Sequence, residues 1–258
     1  MSQESGPRIQ LERLGGLVRL VLDRPPLNVL NIPMLRDLDE ALESLREDAS
    51  VHVLLITGSG RAFCAGVDVA DHTADRVDEM IKTFHRVIER LMDLQFPVVA
   101  AVNGAALGGG CELALACDVV LAREGAKLGQ PEVRLGVFPP AAAVLLSRLV
   151  GRQTAADLIL SGRVIEAEEA LAVGLVSRVM PSDEFDSGVE EYAAAMASLS
   201  GPVLRITKRA LREGESGSTG DAMRRVEQLY LDELMQLDDA HEGLAAFTEK
   251  RVPAWSGG

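Results

Sequence analysis

Two glutamates and two clusters of small residues are where this chain could do chemistry. Glu112 closes the run Asn103-Gly-Ala-Ala-Leu-Gly-Gly-Gly-Cys-Glu. Its three consecutive glycines lie between an apolar stretch, Val98 to Val102, and the residues Leu113, Leu115 and Cys117, which suit one side of a helix. Where a strand hands over to a helix, unpaired N–H groups and the positive end of a dipole face outward. Glycines there let another molecule's carbonyl come close to the backbone. A carboxylate in so apolar a segment is costly and needs a reason. A second carboxylate, Glu132, ends Gly129-Gln-Pro-Glu, and a further loop of small residues runs from Ala62 to Val69. Two nearby carboxylates in an apolar pocket have their proton affinities pushed apart, which supplies one acid and one base.

Other chemistries find no support. Gly108-Gly109-Gly110 lacks the Lys-Ser/Thr of a phosphate-cradling loop. Gly58-Ser59-Gly60 is followed by Arg61-Ala62-Phe63, so a dinucleotide fingerprint fails at its third glycine. No serine occupies a Gly-x-Ser-x-Gly elbow. His52, His72, His85 and His241 are scattered without metal-ligand spacing, so no metal is expected. The formal net charge of -13 opposes nucleic-acid binding, which depends on neutralising phosphates. Cys64, Cys111 and Cys117 form no Cys-x-x-Cys pair and read as buried reduced thiols. Met1 to Arg8 lacks a signal pattern, and no apolar run approaches the ~20 residues that span a bilayer. The expectation is a cytoplasmic protein with neither a membrane nor a nucleic-acid partner.

The elements that must position these groups can be read in order. With 258 residues, 47% of them hydrophobic, the chain suits one large domain or a domain with an appendage. A strand is expected at Leu17 to Leu22, ended by Pro25-Pro26. Asn31 caps a helix with apolar positions Met34, Leu35, Leu38, Leu42 and Leu45. Val51 to Thr57 fits a strand buried on both faces, and Gly58-Ser59-Gly60 turns the chain. A helical stripe runs from Val77 through Phe84 and Val87 to Leu94, and Pro97 stops it. Strands follow at 98–102 and 118–122, then helices at 141–150, 155–160 and 167–172, then a strand at 175–180. Beyond Pro181 the pattern is helical only. This alternation predicts an α/β core followed by a helical appendage.

Several motifs, in order, carry a resemblance: Leu22-Asp-Arg-Pro, Ala62-Phe-Cys-Ala-Gly-Val-Asp68, the run from Asn103 to Leu113, Gly129-Gln-Pro-Glu132, and Phe247-Thr-Glu-Lys-Arg-Val-Pro253. Together they resemble the crotonase, or enoyl-CoA hydratase/isomerase, superfamily over nearly the whole chain. The resemblance implies a ββα spiral core with the CoA-ester site over residues 1–195, and a C-terminal helical region, 196–258, that builds homotrimers or hexamers. It implies an acyl-CoA thioester substrate and no separate cofactor, coenzyme A being part of the substrate. By position it places the oxyanion hole at the N–H groups of Ala65 and Gly109. Glu112 would activate water for attack at Cβ, and Glu132 would deliver the proton at Cα. Substrate and CoA contacts would come from Arg24, Leu27, Arg61, Ala62, Gly66, Val67, Asp68, Val69, Gly108, Pro131 and Pro139, with Phe247 and Lys250 reaching a neighbouring subunit's site.

One departure stands out. Common hydratases carry Pro-Gly-Ala-Gly-Gly where this chain has Pro139-Pro140-Ala141-Ala142-Ala143. A glycine N–H there helps to hold the water, and Pro140 has none. The strings Gly136-Val-Phe-Pro-Pro140 and Ala65 to Thr73 are similar to the cyclohexa-1,5-diene-1-carbonyl-CoA hydratase subgroup, which would put Asp71 or His72 beside the acyl pocket. The alternatives are a Δ3,Δ2-enoyl-CoA isomerase using Glu132 alone and a non-catalytic acyl-CoA-binding homologue.

Overall fold

A computed structural model describes residues 8–257. Its first two strands, β1 (Ile9–Leu14) and β2 (Leu17–Leu22), form an antiparallel hairpin, and α1 (Ile32–Leu45) follows, capped by the Asn31 side chain. The chain then repeats one pattern: a long strand, a three-residue strand, a helix. The first round is β3 (Val53–Gly58), β4 (Ala62–Cys64) and α2 (Val77–Asp93). The second is β5 (Val98–Val102), β6 (Ala105–Leu107) and α3 (Gly109–Leu115). The third is β7 (Val119–Arg123), β8 (Lys127–Gly129), a 3-10 turn at Pro131–Leu135, α4 (Pro140–Val150) and α5 (Arg152–Ser161). After β9 (Val164–Glu166), α6 (Ala167–Ala172) and β10 (Arg178–Met180) come four helices: α7 (Phe185–Ala197), α8 (Gly201–Gly214), α9 (Thr219–Gln228) and α10 (Asp238–Glu249).

Each round gives its long strand to one sheet, ordered β1-β2-β3-β5-β7-β10, and its short strand to another, ordered β4-β6-β8-β9. From β2 to β10 the first sheet is parallel, as β4, β6 and β8 are in the second. The result is a spiral of repeated turns: strand, strand, helix, and back. One face of the large sheet (Val18, Leu20, Leu54, Ile56, Val98, Ala100) joins α1 and α2 in the main core. Its other face (Leu17, Val53, Leu55, Val99, Leu121) is covered by Phe185, Val189 and Ala193 of α7. That packing explains why the long strands β2, β3, β5 and β7 are apolar at most positions. The expected boundary between residues 195 and 196 falls inside α7. On α8, the buried Lys208 donates to the Phe96 carbonyl at 2.9 Å and to Asp118 at 2.5 Å, tying the C-terminal helices to the core.

β1 has no counterpart in the sequence reading. Its residues are almost all exposed, so it carries no apolar signal. The strand expected at 175–180 pairs only over Arg178–Met180, although Leu175 and Val176 are buried. Among the described residues, no helix is long and apolar enough to cross a membrane.

Candidate active site

The three parallel strands of the small sheet end side by side, and their carboxyl ends deliver the chemistry. β4 leads to Ala65–Asp68, β6 to Gly108 and Gly109, and β8 to Gln130 and Glu132. Such strand ends are where open parallel sheets commonly hold ligands. Two asparagines stiffen the entry. Asn28 donates to the Ser59 and Ala62 carbonyls at 3.0 and 2.8 Å, and Asn103 to those of Gly58 and Gly60 at 2.9 and 3.0 Å.

The expected amide pair needs a correction. The Ala65 N–H donates to the Leu27 carbonyl at 2.9 Å, so it is already spent. The next residues bridge to Leu30: Gly66 accepts from its N–H at 2.9 Å and the Asp68 N–H donates to its carbonyl at 2.8 Å. In a parallel bridge the intervening residue points its own N–H the other way. That residue is Val67, whose N–H meets no acceptor among the described residues. Gly109 is the first residue of α3, and its N–H likewise has no acceptor there. The two residues touch: a Cβ at position 109 would lie 2.6 Å from Val67 Cγ2. Two unpaired donors on adjacent loops are therefore supplied by Val67 and Gly109.

Both carboxylates adjoin the same loops: Glu112 lies three residues after Gly109 on α3, and Glu132 lies against Gly108. Glu112 is buried in the first turn of α3, and its Oε1 accepts the Ala142 N–H at 2.8 Å. Burial pushes its carboxyl up to about 7, the Ala142 and Ala141 amides pull it down, and the charge of Glu132 pushes it up further. Pro140 is the first residue of α4, so the amides of the same helix turn end on Glu112. Glu132 is half-buried in the 3-10 turn. Burial raises its proton affinity too, opposed by its backbone hydrogen bond and by the charge of His72. Its Oε1 lies 2.5 Å from where a Cβ would stand at Gly108, a residue with φ of 51°. The positive φ favours glycine there, and any side chain would have to displace the flexible Glu132 carboxylate. Glu132 Oε2 has no hydrogen-bond partner, and neither does Gln130 Oε1 or Nε2, although Gln130 is fully buried. Sequence reasoning missed Gln130; its place at the end of β8, two residues before Glu132, is the only signal.

The other expected residues divide. Arg24 Nη1 donates to the Val29 carbonyl at 2.8 Å and meets Asp68 at 3.4 Å, and Asp68 also caps the Ala70 N–H at 3.1 Å. Leu27 contributes its carbonyl to Ala65, Ala62 is buried in β4, and Gly66 packs against the Leu107 carbonyl. Val69 and Arg61 are exposed near these loops. Pro131 opens the 3-10 turn and Pro139 caps α4. Asp71 is consumed by structure: it accepts the Ile32 N–H at 2.8 Å and pairs with Arg76 at 2.8 Å. Phe247 is 86% exposed on α10, and Lys250 is the C-cap of that helix. That helix packs on α8, so a single chain does not bring either residue to the loops. Burial pushes the thiols of Cys64 and Cys111 up to about 12, leaving them inert packing groups. Among the described residues, no group of three or more His, Cys, Asp or Glu could hold a metal ion.

Comparison with known proteins agrees with this architecture. Residues 12–258 match the sequence profile described as enoyl-CoA hydratase/isomerase. A cyclohexa-1,5-dienecarbonyl-CoA hydratase of Thauera aromatica is 38% identical over 256 residues, covering 99% of both chains. A 2,3-dehydroadipyl-CoA hydratase of Escherichia coli K12 is 40% identical over 241 residues, covering 92% of this chain and 94% of that one. The crystal structure of an enoyl-CoA hydratase from Bacillus anthracis superposes with a TM-score of 0.93 at 35% identity, covering 97% of this chain and all of that one.

Proposed function

Because the chain belongs to the enoyl-CoA hydratase/isomerase family, we propose that it adds water across the 2,3-double bond of an acyl-CoA thioester at the Glu112–Glu132 site. The observation that carries this reading is the convergence of two carboxylates on two unpaired amides, those of Val67 and Gly109. The thioester oxygen accepts from both N–H groups. Negative charge developing there is stabilised by fixed donors, and losing one such donor typically costs ~3 kcal/mol of barrier. With only seven residues, α3 adds little dipole beyond its first N–H groups.

The electron and proton movements follow. Ionised Glu112 takes a proton from water as the oxygen bonds to C3. The π electrons move through C2 to the thioester oxygen, forming an enolate. Glu132 then gives its proton to C2 and the carbonyl re-forms. One turnover thus leaves the proton on Glu112 and Glu132 ionised. Pro140 offers no N–H, and the Ala141 and Ala142 amides that follow it are directed at Glu112, so the carboxylates themselves hold the water.

Exposed Leu135, Val137 and Phe138 beside the 3-10 turn supply an apolar lip suited to a hydrocarbon acyl group. CoA phosphates meet exposed Arg61 and, across a subunit boundary, Lys250, with Phe247 beside it. Exposed Leu244, Phe247 and Val252 at the C-terminal end support assembly as a trimer or a pair of trimers. The reading requires no cofactor and suits a cytoplasmic enzyme. A turnover screen with crotonyl-CoA, longer 2-enoyl-CoAs and a cyclic dienoyl-CoA tests it: loss of conjugated-thioester absorbance is expected. A second reading, Δ3,Δ2-enoyl-CoA isomerisation through Glu132 alone, draws on the hydrogen bond that occupies Glu112 Oε1. Conversion of a 3-enoyl-CoA with no hydration of any 2-enoyl-CoA would replace the first reading with the second.

A further inference from the structure

Asn28 takes no part in the hydration scheme, yet it is wholly buried and its backbone has a φ of 52°, which side chains rarely adopt. Asparagine tolerates that conformation better than most residues do. A carboxamide brings two donor hydrogens and an acceptor oxygen, and here both atoms are engaged. Oδ1 accepts the Arg24 N–H at 3.0 Å and the Ser59 hydroxyl at 3.4 Å. Nδ2 donates to the carbonyls of Ser59, Ala62 and Phe63 at 3.0, 2.8 and 3.2 Å. Those carbonyls run from the turn after β3 into β4, the strand that leads to the loop Ala65–Asp68. The residues flanking Asn28 continue the same lacing. The Leu27 carbonyl takes the Ala65 N–H at 2.9 Å, and Leu30 holds Gly66 and Asp68 at 2.9 and 2.8 Å. The lacing skips the Val67 N–H, and the Val67 side chain lies against Gly109. Asn103 braces the same turn but reaches only Gly58 and Gly60, before β4 begins.

We propose that Asn28 is a positioning residue for the oxyanion hole: it fixes β4 against the segment Leu27–Leu30 and so sets where the Val67 N–H points. The inference rests on the reading of Val67 and Gly109 as the donors to the thioester oxygen. A donor to developing charge works because it is in place before the reaction and does not have to reorient during it. Gly109 is placed by a helix, being the first residue of α3. Val67 stands on a loop, where a site is held less tightly than on a helix or strand. The segment 27–30 makes good that difference, and the Asn28 side chain ties it to β4. With no exposed surface, Asn28 acts through the backbone and meets no reacting atom.

The experiment is isotope-edited infrared spectroscopy of the full chain with butyryl-CoA labelled with carbon-13 at the thioester carbonyl. The saturated acyl group cannot be hydrated, so the band reports the donors alone. Bound to wild type, the carbonyl band should lie below its position in water. Asn28→Gly keeps the positive φ accessible and removes the side chain; Asn28→Asp matches the shape and loses the amide donors. In both, about half or more of the downshift should be lost, and with a 2-enoyl-CoA kcat should fall about 10-fold or more while KM changes by less than about 3-fold. Asn103→Ala loosens the same turn and should keep the wild-type band. A full downshift in folded Asn28→Gly and Asn28→Asp overturns the proposal. So does loss of the cooperative fold in both, which would make Asn28 a structural residue alone. An equal loss of downshift in Asn103→Ala overturns it too, since general loosening of the turn would then suffice. No downshift in wild type would overturn the thioester reading and this proposal with it, an outcome distinct from the other three.

Discussion

Glu112 stands in the first turn of a regular helix, almost wholly buried, with one oxygen fixed by the Ala142 N–H. Glu132 stands in a 3-10 turn, half-buried, with one oxygen unpartnered and the other against a glycine. The difference assigns motion as well as proton affinity. In the proposed reaction the first carboxylate is held where a water must be aimed, and burial dominates its titration. In that reaction the second can adjust to the carbon it protonates; burial raises its proton affinity, opposed by its own backbone hydrogen bond and a neighbouring charge.

The glycines beneath each carboxylate offer the largest way to break this contrast. A Cβ at Gly110 would lie 2.0 Å from the Cys64 carbonyl, which is backbone and cannot move aside. Gly110→Ala should detach α3 from β4 and cost more than about 4 kcal/mol, seen as loss of the cooperative unfolding transition in denaturant. A Cβ at Gly108 would instead meet the Glu132 side chain, which is flexible. Gly108→Ala should stay folded, lose about 1 kcal/mol to its positive φ, and lose roughly 100-fold in kcat. Equal loss of folding in both variants would remove the distinction between a rigid and a mobile seat.

The pH dependence of stability sharpens the same contrast. The folded state raises the Glu112 carboxyl from 4.5 to about 7, so it binds the proton more tightly than the unfolded chain does. Stability is therefore full below the unfolded value and falls as pH rises between 4.5 and about 7. Glu112→Gln should remove that loss. At pH 8 it should be more stable than wild type by up to about 3 kcal/mol, the gain shrinking toward zero below pH 4.5. Denaturant midpoints across the range check this; a Gln variant less stable at pH 8 would mean that the Ala142 contact outweighs burial. The smallest effect is expected at Pro140. Pro140→Ala restores an N–H to the first position of α4. It should lower stability by about 0.5–1 kcal/mol and change hydration by less than about 10-fold. A loss beyond that would show that the proline ring itself shapes the pocket.

What the sequence makes legible, and what it hides, follows from range. Glu112, Glu132 and the glycines between them can be read because each signal is local: an ionisable residue in an apolar run, a turn residue before a helix. The long strands can be read because two covered faces make them mostly apolar. The short strands Ala62–Cys64, Ala105–Leu107 and Lys127–Gly129 look like loops, since three residues hold no period. β1 hides for the opposite reason, being exposed along almost its whole length. The choice between Ala65 and Val67 is not local at all. It is made by the carbonyls of Leu27 and Leu30, far upstream, which take one amide and turn the next one outward. The commitment of Ala142 to Glu112 joins residues thirty apart and is equally silent in the chain.

The central claim is that both carboxylates act in one reaction from different seats. Its most direct test is the loss of conjugated-thioester absorbance of a 2-enoyl-CoA, followed with wild type, Glu112→Gln and Glu132→Gln in parallel. Wild type should consume the substrate, and each variant should fall by about 10²–10⁴-fold in kcat while still binding acyl-CoA. A Glu132→Gln enzyme that hydrates at the wild-type rate would contradict the account.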